Sequence, residues 1–154
     1  MLKRPLAVLV WDEKDMKNLT APHRTAIKRT RISVPVRYLE DEGLLIGRVL
    51  DYGCGYGEDA KVFGFEVYDP FFFPSVPKGE FDTIICNYVL NVVPEDIQEG
   101  IIQDIEQRLK PNGFAYLAVR RDLSGDESTQ RIVRLDLPVL IENTGYCIYE
   151  TWRK

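Results

Sequence analysis

The feature that most constrains this chain is a short apolar run that stops abruptly in glycines. Arg48-Val49-Leu50-Asp51-Tyr52 leads directly into Gly53-Cys54-Gly55-Tyr56-Gly57. An apolar run bounded by glycine punctuation reads as a buried strand ending in a sharp turn. Without side chains, the backbone of such a turn can come close to a ligand. Two further runs end in the same manner: residues 65–68 stop at Asp69-Pro70, and residues 81–87 stop at Asn87-Tyr88. Strands that end in polar or glycine residues and alternate with helical segments demand an α/β sheet.

The remaining segments fit that class. Residues 6–11 read as a strand, and residues 22–29 as one or two helical turns. Ser33 and Pro35 resemble a helix start, with Val36, Tyr38 and Leu39 on one face and Gly43 as the stop. Only about two turns of helix fit between Glu58 and Gly64. Prolines at 70, 74 and 77 make residues 71–77 a loop. From Pro94 to Lys110 the residues Ile97, Ile101, Ile105 and Leu109 recur every four positions, and Ile102 widens the stripe, which predicts an amphipathic helix ended by Lys110-Pro111-Asn112-Gly113. Residues 114–119 form a strand, residues 122–130 a polar loop, and residues 137–141 and 146–152 a hairpin around Asn143-Thr144-Gly145. With 154 residues, the expectation is one domain, a basic extension over 1–45 and a core over 46–154. Its sheet is mostly parallel with an antiparallel C-terminal hairpin. In such a sheet ligands bind at the carboxyl ends of the strands, where the connections reverse direction.

A glycine turn followed by an acid also describes dinucleotide binding, so spacing must decide between ligands. The dinucleotide fingerprint requires a glycine three residues after Gly55. Position 58 is Glu58, whose charge repels a pyrophosphate, and Asp51 immediately precedes the glycines. The phosphate-loop pattern is absent as well. Such a pocket suits a cationic or zwitterionic ligand carrying an adenosine, which describes S-adenosylmethionine. Asp69, eighteen residues after Asp51, can accept the ribose hydroxyl protons, and Asn87-Tyr88-Val89 can cover the adenine.

Residues 49–57 resemble the first motif of class I S-adenosylmethionine-dependent methyltransferases. Residues 81–90, the helix after them, and Leu109-Lys110-Pro111-Asn112-Gly113 are similar to the later motifs of that superfamily. The resemblance implies a reduced Rossmann-like class I methyltransferase fold and S-adenosylmethionine as cofactor. It places Asp51, Gly53, Cys54, Gly55, Asp69, Pro70, Asn87 and Tyr88 at that cofactor. Two departures mark this chain: the helix after the glycine turn is cut short, and the Pro/Phe loop replaces the usual strand and helix between Asp69 and Phe81. A narrower likeness runs through residues 23–29, 51–59, 68–70 and 87–92 to methyltransferases encoded beside DNA phosphorothioation systems. It implies a role for residues 23–29 as a flap or acceptor contact, with Arg24, Lys28 and Arg29 touching the substrate. His23, the sole histidine, is the side chain whose ordinary pKa suits a general base. No Asn/Asp-Pro-Pro-Tyr/Phe sequence follows the third strand end, so the acceptor stays open between a small molecule and a nucleic acid. A non-catalytic binding module or partner subunit is the alternative reading.

The formal net charge is −4, but residues 1–37 hold nine Lys/Arg against three Asp/Glu, so the N-terminal quarter is positive. That segment is either an acceptor contact or a solvated basic face. Cys54, Cys86 and Cys147 have no paired or metal-ligand spacing, which suggests reduced thiols and a cytoplasmic protein. Cys54 and Cys86 read as small apolar fillers, and Phe71-Phe72-Phe73 as core or interface rather than a substrate platform. No apolar run reaches the roughly 20 residues needed to cross a bilayer.

Overall fold

The computed structural model describes residues 32–124 and 130–154. The strand expected at 6–11, the helical turns expected at 22–29 and part of the polar loop at 122–130 lie outside them. The described chain runs α1 (Val34–Asp41), β1 (Val49–Tyr52), α2 (Glu58–Phe63), β2 (Glu66–Tyr68), β3 (Phe81–Asn87), a 3-10 turn (Leu90–Val92), α3 (Glu95–Arg108), β4 (Leu109–Arg120), β5 (Val139–Glu142) and β6 (Tyr146–Trp152). Among the described residues no helix is long and apolar enough to cross a membrane.

All six strands join one sheet in the order β2-β1-β3-β4-β6-β5. β2, β1, β3 and β4 are mutually parallel, and β6 runs antiparallel to both β4 and β5. This is the mixed, mostly parallel Rossmann-like sheet expected from the sequence, with its antiparallel C-terminal strands. After β1 the chain steps outward to β2 and then returns to the other side of β1 as β3. The connections therefore diverge between β1 and β3, and the carboxyl ends of these strands are where sheets of this kind bind their ligands.

Alternating residues of each strand feed two layers. Leu50, Ile84 and Leu117 face a core that includes Ile101 and Ile105 of α3. Ile85, Tyr116, Ala118 and Ile148 face Val36 and Leu39 of α1. Helix α1 starts where Ser33 is extended and a proline occupies the first turn. Helix α2 is held to six residues by left-handed glycines at both ends, Gly57 (φ 76°) and Gly64 (φ 75°).

One boundary differs from the periodicity. Leu109 continues the four-residue stripe of α3, yet it is extended and pairs with Phe81, so the helix ends at Arg108 and β4 already begins there. The register then jumps to Thr83 opposite Phe114, and Lys110-Pro111-Asn112-Gly113 bulges out of the ladder. A Cβ at Gly113 would lie 2.9 Å from the carbonyl oxygens of both Phe81 and Asp82, so only glycine allows the strands to close again. Leu109 nevertheless fits the stripe because it is completely buried in the same core as Ile101 and Ile105.

Candidate functional site at the carboxyl edge of the sheet

The glycine turn hooks over the end of β2. The Gly53 N–H donates to the Tyr68 carbonyl at 2.6 Å, and the Cys54 N–H donates to the same oxygen at 3.2 Å. Gly53 is left-handed at φ 76°, and a Cβ there would meet Val89 Cγ2 at 2.4 Å. The close backbone approach expected at this glycine is thus to the segment following β3, which locks two strand ends together.

Asp69 sits at the end of β2, about 9% exposed. Its Oδ2 accepts the Gly55 N–H at 3.0 Å, while Oδ1 accepts the N–H groups of Phe71 (2.9 Å) and Phe72 (3.0 Å). Backbone bonds between Asp69 and Phe73 close the loop at its base. The carboxylate expected at a ribose therefore also ties the Pro/Phe loop to the glycine turn. A diol at this position shares or displaces those amide donors. The aromatic loop lies on the turn: the Phe72 ring is 4.6 Å from that of Tyr56, and Phe73 stands 3.3 Å from where a Gly57 Cβ would be. Phe71, by contrast, is half exposed.

The third strand end carries a polar chain that the sequence did not reveal. Asn87 Nδ2 donates to Ser33 Oγ at 2.9 Å, and Ser33 donates from Oγ to Asp59 Oδ2 (2.8 Å) and from its backbone N–H to Asp59 Oδ1 (2.9 Å). Ser33 and Asp59 are buried. Asn87 Oδ1 is shielded from solvent and has no hydrogen-bond partner among the described residues, an arrangement that costs about 1–3 kcal/mol unless a donor arrives. Ser33 was legible only as the start of a helix and Asp59 only as the end of the stretch 51–59. Yet the Ser33 hydroxyl does not cap its own helix; it reaches across to α2. Tyr88 follows at φ 62°, a left-handed backbone rare for a residue with a side chain, of the kind that clusters at functional sites.

Asp51 is buried at the end of β1 and pairs in register with Ile85, two residues before Asn87, so β1 and β3 present these polar groups on the same face. Asp51, Asp59 and Asp69 make the surroundings of the turn acidic. The Cys54 thiol shows the effect: burial, and then the charges of Asp51 and Asp69, push its pKa up, which keeps it a neutral filler. Burial does the same to Cys86. The structure thus brings Asp51, Gly53, Cys54, Gly55, Asp69, Pro70, Asn87 and Tyr88 to the ends of three adjacent parallel strands. His23, Arg24, Lys28 and Arg29 lie outside the described residues.

Among solved structures, the fold is similar to that of TehB from Haemophilus influenzae, at 14% identity and a TM-score of 0.57 over 82% of this chain and 64% of that one. It is similar also to magnesium protoporphyrin IX methyltransferase from Synechocystis PCC 6803 with bound SAH (14% identity, TM-score 0.53, 96% of this chain and 100% of that one). A TehB-like SAM-dependent methyltransferase from Corynebacterium glutamicum aligns at 17% identity with a TM-score of 0.52, over 78% of this chain and 95% of that one. At such identities the likeness shows the fold. No curated protein sequence matches. Residues 23–151 match the profile of a family described as a methyltransferase domain, and with most of its length matched the chain belongs to that methyltransferase-domain family.

Proposed function

We propose that this protein binds S-adenosylmethionine at the carboxyl ends of β2, β1 and β3 and transfers its methyl group to a nucleophile. The observation that carries this reading is the convergence of Asp69, the glycine turn and Asn87-Tyr88 where the sheet connections diverge. The residues present fit such a ligand. Buried acidic side chains suit its sulfonium and ammonium charges, and the shielded Asn87 Oδ1 asks for a hydrogen donor. The cofactor supplies an already activated methyl carbon. The chain contributes alignment of the acceptor within about 3–3.5 Å and exclusion of water. His23 acts as base where the acceptor carries a proton at working pH.

The acceptor is a small molecule or a nucleic acid, and the positive N-terminal quarter favours a polyanion. A second reading, a binding module without turnover, draws support from the small size of the chain, 154 residues, and from the Pro/Phe loop that stands in place of the family's usual strand and helix. Calorimetric titration with S-adenosylhomocysteine tests the first claim: saturable binding at one site is expected, and no heat of binding overturns it. Transfer of label from radioactive donor into a cell extract then separates enzyme from module.

A further inference from the structure

The polar chain behind Asn87 has a direction, and that direction has a consequence for the ligand. An ionised carboxylate only accepts hydrogen bonds. The Ser33 hydroxyl has one hydrogen, and the 2.8 Å contact to Asp59 Oδ2 uses it. Toward Asn87 the hydroxyl can therefore only accept, so the Asn87 NH2 end must face Ser33 and Oδ1 must face away. The orientation of this amide is set by chemistry two residues removed. The backbone N–H of Ser33 on Asp59 Oδ1 at 2.9 Å fixes the carboxylate in turn. Asp59 is buried in α2 directly after the glycine turn, Ser33 is buried at the start of α1, and Asn87 ends β3. Three elements are thus joined to present one carbonyl oxygen, and that oxygen is shielded from water without a partner among the described residues.

We infer that Ser33 and Asp59 are positioning residues that hold Asn87 Oδ1 as a hydrogen-bond acceptor for the ammonium group of the donor's amino-acid portion. The inference rests on the proposed donor and assigns Asn87 a role different from covering an adenine. A cation is favoured over a neutral donor because the surrounding buried side chains Asp51, Asp59 and Asp69 are acidic, and a charge-assisted hydrogen bond is about twice as strong as a neutral one.

The test compares S-adenosylhomocysteine with 5′-methylthioadenosine, which keeps the adenosine and sulfur but lacks the amino-acid portion. In Asp59→Asn the new amide donates to Ser33 Oγ, the Ser33 hydrogen turns to Asn87, and the Asn87 amide reverses to present NH2. Calorimetry is expected to show S-adenosylhomocysteine weakened about tenfold with methylthioadenosine unchanged. Asn87→Ala should produce the same split. Ser33→Ala, a smaller perturbation of folding, should produce a weaker split in the same direction, and it decides the matter if Asp59→Asn does not fold. Equal weakening of both ligands, or no weakening in any variant, overturns the inference while the proposed function stands. A wild-type protein that binds neither ligand overturns both.

Discussion

At the scale of single residues, Gly53 and Asp69 both hold the strand ends together, and the proposed donor site gives Asp69 a second purpose that substitutions can separate from the first. A side chain at Gly53 faces the left-handed backbone, worth about 1–2 kcal/mol, and a collision with Val89 Cγ2 at 2.4 Å that adds about 1–3 kcal/mol of overpacking. Gly53→Ala should therefore lower stability in urea titrations by the sum of these. Adding Val89→Ala should recover the collision part, so the double-mutant cycle is non-additive; strict additivity would show that Val89 is not the obstacle. For Asp69, alanine removes acceptors from three N–H groups and should lower both stability and donor affinity, the latter by about 1.5–3 kcal/mol. Asp69→Asn retains one carbonyl oxygen for Phe71 and Phe72 while losing the acceptor for Gly55, so it should spare the loop and still weaken binding. A donor titration that Asp69→Asn leaves unchanged would confine Asp69 to holding the loop.

At the scale of elements, α3 is fastened to the sheet by a polar contact as well as by its apolar stripe. Tyr52 on β1 donates to Asp104 Oδ2 at 2.7 Å, and Arg108 pairs with the same carboxylate at 3.1 Å one turn later. Tyr52 is wholly enclosed, and burial, followed by the charge and hydrogen bond of Asp104, raises its pKa well above the ordinary value of 10.0. The unfolded chain therefore loses this proton first as pH climbs. Stability from the pair is complete below about pH 10 and declines above it. Tyr52→Phe should cost about 1.5–3 kcal/mol at neutral pH, and the gap to wild type in denaturant midpoint should narrow as pH rises past 10. A constant gap would mean that the phenol does not ionise on unfolding. This contact also illustrates what the sequence could reveal. The isoleucine stripe announced α3, the glycines and Asp69 announced the strand ends, and the hairpin was legible from its turn, because each depends on local chemistry or period. Asp104 and Asp59 could not be singled out from the sequence, because their partners Tyr52 and Ser33 are 52 and 26 residues away and long-range polar pairing leaves no periodic trace. Leu109 misled for a related reason: burial alone does not distinguish the last turn of a helix from the first residue of a strand.

At the scale of the whole molecule, the sheet of the described residues ends at a three-residue edge strand, β2, and the Pro/Phe loop follows it, as the sequence led one to expect in place of the family's usual strand and helix. The asymmetry of charge bears on the acceptor. Residues 1–37 carry nine Lys/Arg and three Asp/Glu in a protein whose net charge is −4, and local fields, rather than net charge, govern how a polyanion approaches. If the acceptor is a nucleic acid, the protein should be retained on immobilised DNA or RNA at low salt despite its negative total. The logarithm of its binding constant should fall linearly with the logarithm of salt, by about 0.9 per phosphate neutralised on a duplex. Replacing Lys28 and Arg29 together by alanine removes two such contacts and should make that slope shallower by about 2. A slope that the double substitution leaves unchanged, or no retention at all at low salt, would return the basic segment to the status of a solvated face and leave a small molecule as the acceptor.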